Sequence, residues 1–310
     1  MAQNTLTAEK KPKKAGKPDA AGRSRVLVMQ ETRAAYLFLL PSLLFFVAFV
    51  VVPMFICVIY SFLDYGLGGV KGFAGLNNYI KLFADPIFHR GFLNTVLIVV
   101  VAVPTVTAFS LWVGSAIYKM HPFSRSLFRC VFYLPVVTGS VAITVVWKWI
   151  LHPYNGVLNF ITGTNGFDWL GNASTAIWFI ILILFTTSIG QPIVLYVAAL
   201  GNVDTSILEA AQVDGATKLQ VFWKVTWPSL MPTTLYVLVI TTINSFQCFA
   251  LIQLLTKGGP SNSTMTIMYQ VYDTAYRLND LGYANAIGVI LAIIIAVFSA
   301  LQFKLAKTDN

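Results

Sequence analysis

The sequence predicts an all-α integral membrane protein with six transmembrane helices. Of its 310 residues, 57% are hydrophobic and only 11% charged, a balance foreign to soluble domains. Six uncharged stretches (34–63, 91–118, 130–147, 169–203, 225–256 and 281–303) approach or exceed the roughly 20 apolar residues that a spanning helix needs. The apolar residues run continuously rather than in the short alternating segments of a membrane barrel.

Taken in order, helices are expected over 36–62, 92–117, 127–150, 176–200, 233–255 and 283–304. Residues 34–63 hold the first span and residues 91–305 a five-helix core. Ahead of them lies a polar tail, 1–33, with KKPKKAGK at 10–17. It reads as a disordered basic anchor, with contact to anionic lipid as the alternative. It does not read as a signal peptide, because no short apolar run with a small-residue cleavage site follows it. Placing both termini in the cytoplasm puts fifteen of the 21 Lys and Arg inside and six outside, as the positive-inside rule requires. The net charge of +9 is then topology and calls for no nucleic acid. Gln191-Pro192 in the fourth span marks an expected kink. Cys57, Cys130 and Cys248 lack metal-ligand spacing and read as small core residues. His89, His121 and His152 fall near span ends, where interfacial or loop roles are expected.

What is missing narrows the mechanism. All 12 acidic residues lie outside the expected helices, so a proton relay has no machinery. No phosphate loop of the G-x-x-x-x-G-K-[ST] type occurs, and no nucleophile–base or paired-carboxylate set stands out. No metal site is expected either. A channel, a scaffold, or the membrane part of a pump powered by another polypeptide remains.

Residues 203–232, VDTSILEAAQVDGATKLQVFWKVTWPSLMP, interrupt the apolar pattern between the fourth and fifth spans. Asp204 suits an N-cap, and the helix after it carries Ile207, Leu208, Ala210, Ala211 and Val213. Gly215 suits a left-handed turn. A second amphipathic segment begins near Thr217, with Leu219, Phe222 and Val225 at helical spacing, and Pro228 and Pro232 delimit re-entry into the membrane. Two short helices in an L form a pad able to fill a groove on a partner. Glu209 is either its charged anchor or an ordinary solvent-facing carboxylate.

The order Glu209-Ala210-Ala211, Asp214-Gly215-Ala216, Phe222, Pro228 resembles the EAA loop of binding-protein-dependent ABC transporter permeases. FAGLNNYIKLFADPIF (73–88) with Asn94-Thr95, YLPVVTGSVAITVVWKWIL (133–151), LTKGGPSNST (255–264) and GYANAIGVIL (282–291) resemble the carbohydrate branch of that family. The opening AAYLFLLPSLLFF is similar to the first permease of the maltose and glycerol-phosphate type of pair. Lys257 departs from the pattern, which more often has Gly there.

The resemblance implies a type I ABC importer permease fold and a transport subunit rather than an enzyme. It implies that Glu209, Ala210, Ala211, Asp214, Gly215, Leu219 and Phe222 dock on a cytoplasmic ATPase. The implied partners are a second, homologous permease, two ATPase subunits holding ATP and Mg, and an extracellular solute-binding protein. No cofactor is expected on this chain, and the setting is a bacterial cell membrane. An oligosaccharide or related polyol is the expected cargo. A non-sugar solute such as a polyamine, an ATP-independent channel or carrier, and a pure scaffold are the alternatives.

Two residue sets follow from the spans themselves. On the fifth, Asn244 and Gln247 lie about 60° apart, while Phe246, Phe249 and Gln253 cluster on the opposite side. Either set could meet sugar hydroxyls and ring faces, or simply bond between helices. On the sixth, Ala284, Gly288, Ala292, Ala296 and Ala300 recur every four residues, a small-residue ridge suited to close packing within the chain or on a partner.

Overall fold

The computed structural model describes residues 35–308; the basic tail expected over 1–33 lies outside them. The chain divides into two compact units, residues 1–56 and 57–310. The first helix, α1 (Ala35–Tyr60), carries the described part of the first unit and ends in the second. It contains a π turn at Val47–Val51, closed by the Val52 N–H on the Val47 carbonyl. Pro53, lacking an N–H, follows two residues on, where a regular ladder could not continue.

After α1 the chain forms a hairpin, β1 (Leu63–Gly66) and β2 (Gly69–Phe73). The strands are antiparallel, with Leu63 opposite Phe73 and Gly66 opposite Gly69, and register slips at Asp64/Tyr65. This hairpin departs from the all-helical expectation in nine residues only. α2 (Asn77–Ala84) follows, and Asp85 alone separates it from α3 (Pro86–Tyr118). The Asp85 carboxylate caps α3 by accepting from the Ile87 N–H at 2.8 Å. Its other oxygen accepts from Gln270 at 2.9 Å and from the Tyr283 hydroxyl at 2.7 Å, so one side chain fastens α3 to both later segments.

The expected third span is broken. α4 (Pro122–Val137) and α5 (Ser140–Ile150) meet at 98°. Thr138 and Gly139 both adopt extended backbone there, and Pro135 has already removed one ladder donor. α6 (Val157–Thr162) lies in a folded loop organised by the fully buried Asn159. Its amide donates to the Pro153 and Phe167 carbonyls, and its oxygen accepts from the Trp169 indole. The fourth span bends by 40° between α7 (Ala176–Ser188) and α8 (Gly190–Gly201), at the kink expected from Gln191-Pro192. A Cβ on Gly190 would stand 2.3 Å from the Phe132 carbonyl. Only glycine therefore lets α4 lie against the bend.

α9 (Thr205–Val213) and α10 (Lys218–Val221) form the pad. A π turn, Phe222–Thr226, joins α10 to α11 (Trp227–Phe246), and α12 (Ala250–Leu255) follows a three-residue break. The pad is thus not a free L of two short helices. Its second arm is the first turn of a helical unit running from Lys218 to Leu255, and the π turn again precedes a proline, Pro228. α13 (Ile267–Tyr272), a third π turn (Asp273–Arg277) and α14 (Leu281–Thr308) complete the described chain. Among the described residues, four helices are long and apolar enough to cross a membrane, or up to six if each bent pair is one span.

α3 is the central post. It packs against α7, α8, α11 and α13 and contributes to three buried clusters. Ile98 and Ala102 join Ile180 and Ile252; Val99 and Val103 join Phe246 and Ile287; Val106, Val113 and Ile117 join Ile193 and Val197. Near its start, the buried Asn94 amide donates to the carbonyls of Asn262, Ser263 and Met265 at 3.3, 3.0 and 2.9 Å. Thr95 accepts from the Ile267 N–H at 3.1 Å. These neighbours knit the loop 256–266 to α3. The α3 and α8 C-termini lie together (Tyr118 near Gly201) beside the pad. The hairpin meets the α14 N-terminus through the Gly66–Asp280 bridge, so pad and hairpin occupy opposite ends.

The cysteines divide against expectation. Cys248 is buried, but Cys57 and Cys130 are exposed, because neither the Val52–Tyr60 part of α1 nor α4 buries a residue within this chain. His121 caps α4, and His152 accepts from the Tyr154 and Asn155 N–H groups.

Replacing Asn94 with Ala orphans three carbonyls at once. The expected cost is about 2–4 kcal/mol, read as a lowered Tm of the purified chain. An unchanged Tm contradicts the loop-organising role.

Candidate docking pad and helix-break cavity

The pad is built from caps. The Asp204 carboxylate accepts from the Ser206 N–H at 2.9 Å and opens α9. Hydrogen bonds from the Ser206 side chain and backbone hold this carboxyl below the usual carboxylate range. The cap is therefore complete above that range and is lost as pH falls through the folded pKa. Gly215, at φ +79°, turns the chain, and the Ala216 N–H closes on the Ala211 carbonyl. Thr217 then opens α10 with a capping box: its hydroxyl accepts from the Gln220 N–H, and the Gln220 side chain accepts from the Thr217 N–H at 2.8 Å.

These caps fix which groups face out. Glu209, Ala210, Asp214 and Gly215 are exposed, and Ala211 and Phe222 are half-buried. Leu219 is 68% exposed and Val213 87%. Ile207 and Trp223 are exposed too, and the Trp223 ring sits against Phe222 and Trp227. A carboxylate amid uncovered aliphatic and aromatic side chains has the composition of an interface core with a charged anchor. Trp223 adds an aromatic group that the spacing argument left out.

Residues at three helix interruptions line one cavity of about 430 Å³. Pro135, Val136, Thr138 and Ser140 come from the break between α4 and α5. Leu184 and Thr187 precede the bend between α7 and α8. Asn244, Gln247, Cys248 and Phe249 come from the break between α11 and α12. Each break has a hydroxyl attached. Thr138 donates to the Leu134 carbonyl at 2.8 Å, Ser110 to Ile189 at 3.3 Å, and Thr266 to Cys248 at 3.3 Å.

The helical wheel drawn through the fifth span fails at its own break. Because α11 ends at Phe246 and α12 starts at Ala250, Asn244, Gln247 and Phe249 line the same cavity. Asn244 and Gln247 are exposed, and no described residue engages either amide. Phe249 is half-buried and packs on Tyr269 and Tyr272, with ring centroids 6.3 and 4.9 Å away. Phe246 is fully buried against Phe298 of α14 and belongs to the core. Gln253 is half-buried, outside the lining, with its carbonyl oxygen unpaired among the described residues.

The ridge on α14 also divides. Ala284 is buried. Gly288 is half-buried, with open space where a Cβ would stand, and Ala292, Ala296 and Ala300 are exposed.

Residues 90–308 match the family described as "Binding-protein-dependent transport system inner membrane component". The chain is 32% identical over 295 residues to the "Probable ABC transporter permease protein YurN" of Bacillus subtilis (strain 168), covering 92% of this chain and 99% of that one. It is likewise 32% identical to the arabinooligosaccharides transport system permease protein AraP of the same organism, covering 93% and 94% of the two chains. Among solved structures, a chain of a bacterial ABC transporter involved in the import of the acidic polysaccharide alginate superposes with a TM-score of 0.78. The two are 21% identical, and the match covers 92% of this chain and 99% of the other.

Replacing Thr217 with Ala removes the hydroxyl half of the capping box and leaves the Thr217 N–H to Gln220 half in place. The α10 amides should lose about 1 kcal/mol of protection, or roughly fivefold, in hydrogen exchange by mass spectrometry. Unchanged protection means the box does not set α10.

Proposed function

The chain belongs to the binding-protein-dependent transport inner membrane components, and on that premise we propose that it forms half of the translocation pathway of an ATP-driven oligosaccharide importer. It is a multi-pass transport subunit, not an enzyme. The sugar class draws support from relatives named for sugars, AraP among them, and from the uncharged cavity lining, in which two amides, three hydroxyls and the Phe249 ring stand among aliphatic side chains. A neutral polyhydroxylated solute requires donors, acceptors and ring faces rather than a charge.

The pad faces the cytoplasm in this reading, as the fifteen-to-six division of basic residues favours. Glu209, Ala210, Ala211, Asp214, Gly215, Leu219 and Phe222 seat on an ATPase subunit, with a second ATPase beneath a second, homologous permease. ATP and Mg²⁺ belong to those ATPases. A solute-binding protein, the partner that the family description itself names, delivers cargo at the hairpin end.

The observation that carries the mechanism is the helical unit from Lys218 to Leu255. It begins in the pad and reaches the cavity at Asn244, one turn before its break, so displacement of the pad moves that cavity-lining amide along the same rod. ATP and cargo then each favour one of two arrangements of a shared element, which is what coupling between distant sites requires.

Reversing Glu209 to Lys should abolish uptake and cargo-stimulated ATPase activity while the chain still inserts in the membrane. Normal uptake would contradict docking through this carboxylate. Replacing Asn244 and Gln247 together with Leu should raise the transport KM about tenfold or more, equivalent to about 1.4 kcal/mol, with ATPase docking intact. An unchanged KM and maximal rate would remove these amides from the pathway.

A further inference from the structure

α2 presents three different faces. At 100° per residue, Asn78, Tyr79 and Leu82 share one side. Leu82 is fully buried, the Asn78 amide donates to the Ser61 and Leu63 carbonyls, and the Tyr79 hydroxyl pairs with Ser61. Asn77 and Lys81 form an exposed polar side, with the Lys81 ammonium 2.7 Å from the Asp280 carboxylate and 4.2 Å from the Tyr283 ring centre. Leu76, Ile80 and Phe83 fall within about 60° of one another and are 63%, 65% and 61% exposed. Phe73, just before them, is 80% exposed.

The depth of this apolar stripe is fixed by its tethers. Asp85 is the sole residue between α2 and the membrane-length helix α3. Lys81 ties α2 to Asp280, one residue before α14, another membrane-length helix. α2 therefore lies across the first turns of two spans and cannot stand away from the membrane boundary. Exposed cationic side chains flank it, Lys71 before and Arg90 after, where they can meet lipid phosphates.

We propose that the Leu76–Ile80–Phe83 face of α2 is embedded in the headgroup–acyl boundary of the leaflet at the hairpin end, anchoring the hairpin and α2 to lipid. The inward face holds the protein, the Asn77–Lys81 side meets water, and the third face enters the bilayer edge. Amphipathic helices of this kind insert about 5–10 Å below the headgroups. The proposal rests on the chain spanning a membrane and not on its cargo or partners.

The test uses the full chain in nanodiscs of phosphatidylcholine and phosphatidylglycerol, with Cys57, Cys130 and Cys248 changed to Ala. Nitroxides are attached to single cysteines placed at 76, 80 or 83, and at 77 as a polar control. Labels at 76, 80 and 83 should collide more with oxygen than with a water-soluble nickel chelate, and the preference should invert at 77. Because all four positions are exposed, the labels leave the Asn78, Tyr79 and Leu82 contacts intact. Preferential collision with the nickel chelate at 76, 80 and 83 would mean a water-facing surface, free for a soluble protein, and would overturn the proposal. So would exclusion of both reagents, which would mean a protein-covered face.

Discussion

A polypeptide in hydrocarbon must satisfy its own backbone, because no water is there to do so. This chain interrupts its helices at Thr138–Gly139, at Ile189 and at Gln247–Phe249, and each interruption brings a hydroxyl to a carbonyl nearby. The breaks are not scattered. All three border the same cavity, which is where irregular backbone is tolerated in a membrane protein: inside protein or against an aqueous space. The hydroxyls and amides in the otherwise apolar lining and the broken helices are thus two results of one requirement. A cavity open to water and helix ends that need polar company stabilise each other.

The rest of the architecture supports those breaks. α3 passes through all three buried clusters. Its Asn94 and Thr95 hold the loop 256–266, and its Ser110 reaches the bend of the fourth span. Asp85 joins the start of α3 to Gln270 and Tyr283. α4, by contrast, buries nothing within the chain, and the Ala292–Ala296–Ala300 run of α14 is open. Those are surfaces that this chain leaves uncovered.

Much of this was legible in the sequence, and the exceptions have physical causes. Spans were readable because apolar runs of that length have few other uses, and the pad because Asp204, Gly215 and Thr217 are cap and turn residues at the right offsets. The bend at Pro192 announced itself through a missing donor. The break at Thr138–Gly139 did not, since small polar residues inside an apolar run fit a straight helix equally well. Missing the break after Phe246 had the larger consequence: a wheel assumes one continuous helix, so Asn244 and Phe249 were assigned to opposite sides. Trp223 went unremarked because the spacing argument counted only Leu219, Phe222 and Val225 on that arm. The hairpin at 63–73 gave no strand signal, because four glycines interrupt any alternation of apolar and polar residues there.

The uninterrupted path from Lys218 into α11 also constrains how this molecule can change over evolutionary time. Adding or deleting one residue there would swing the pad by about 100° relative to Asn244, whereas a compensated substitution would leave the phase untouched. The segment between pad and cavity should therefore tolerate divergence in composition but scarcely any in length. A chimaera that borrows another permease's elbow would work only if spliced in phase.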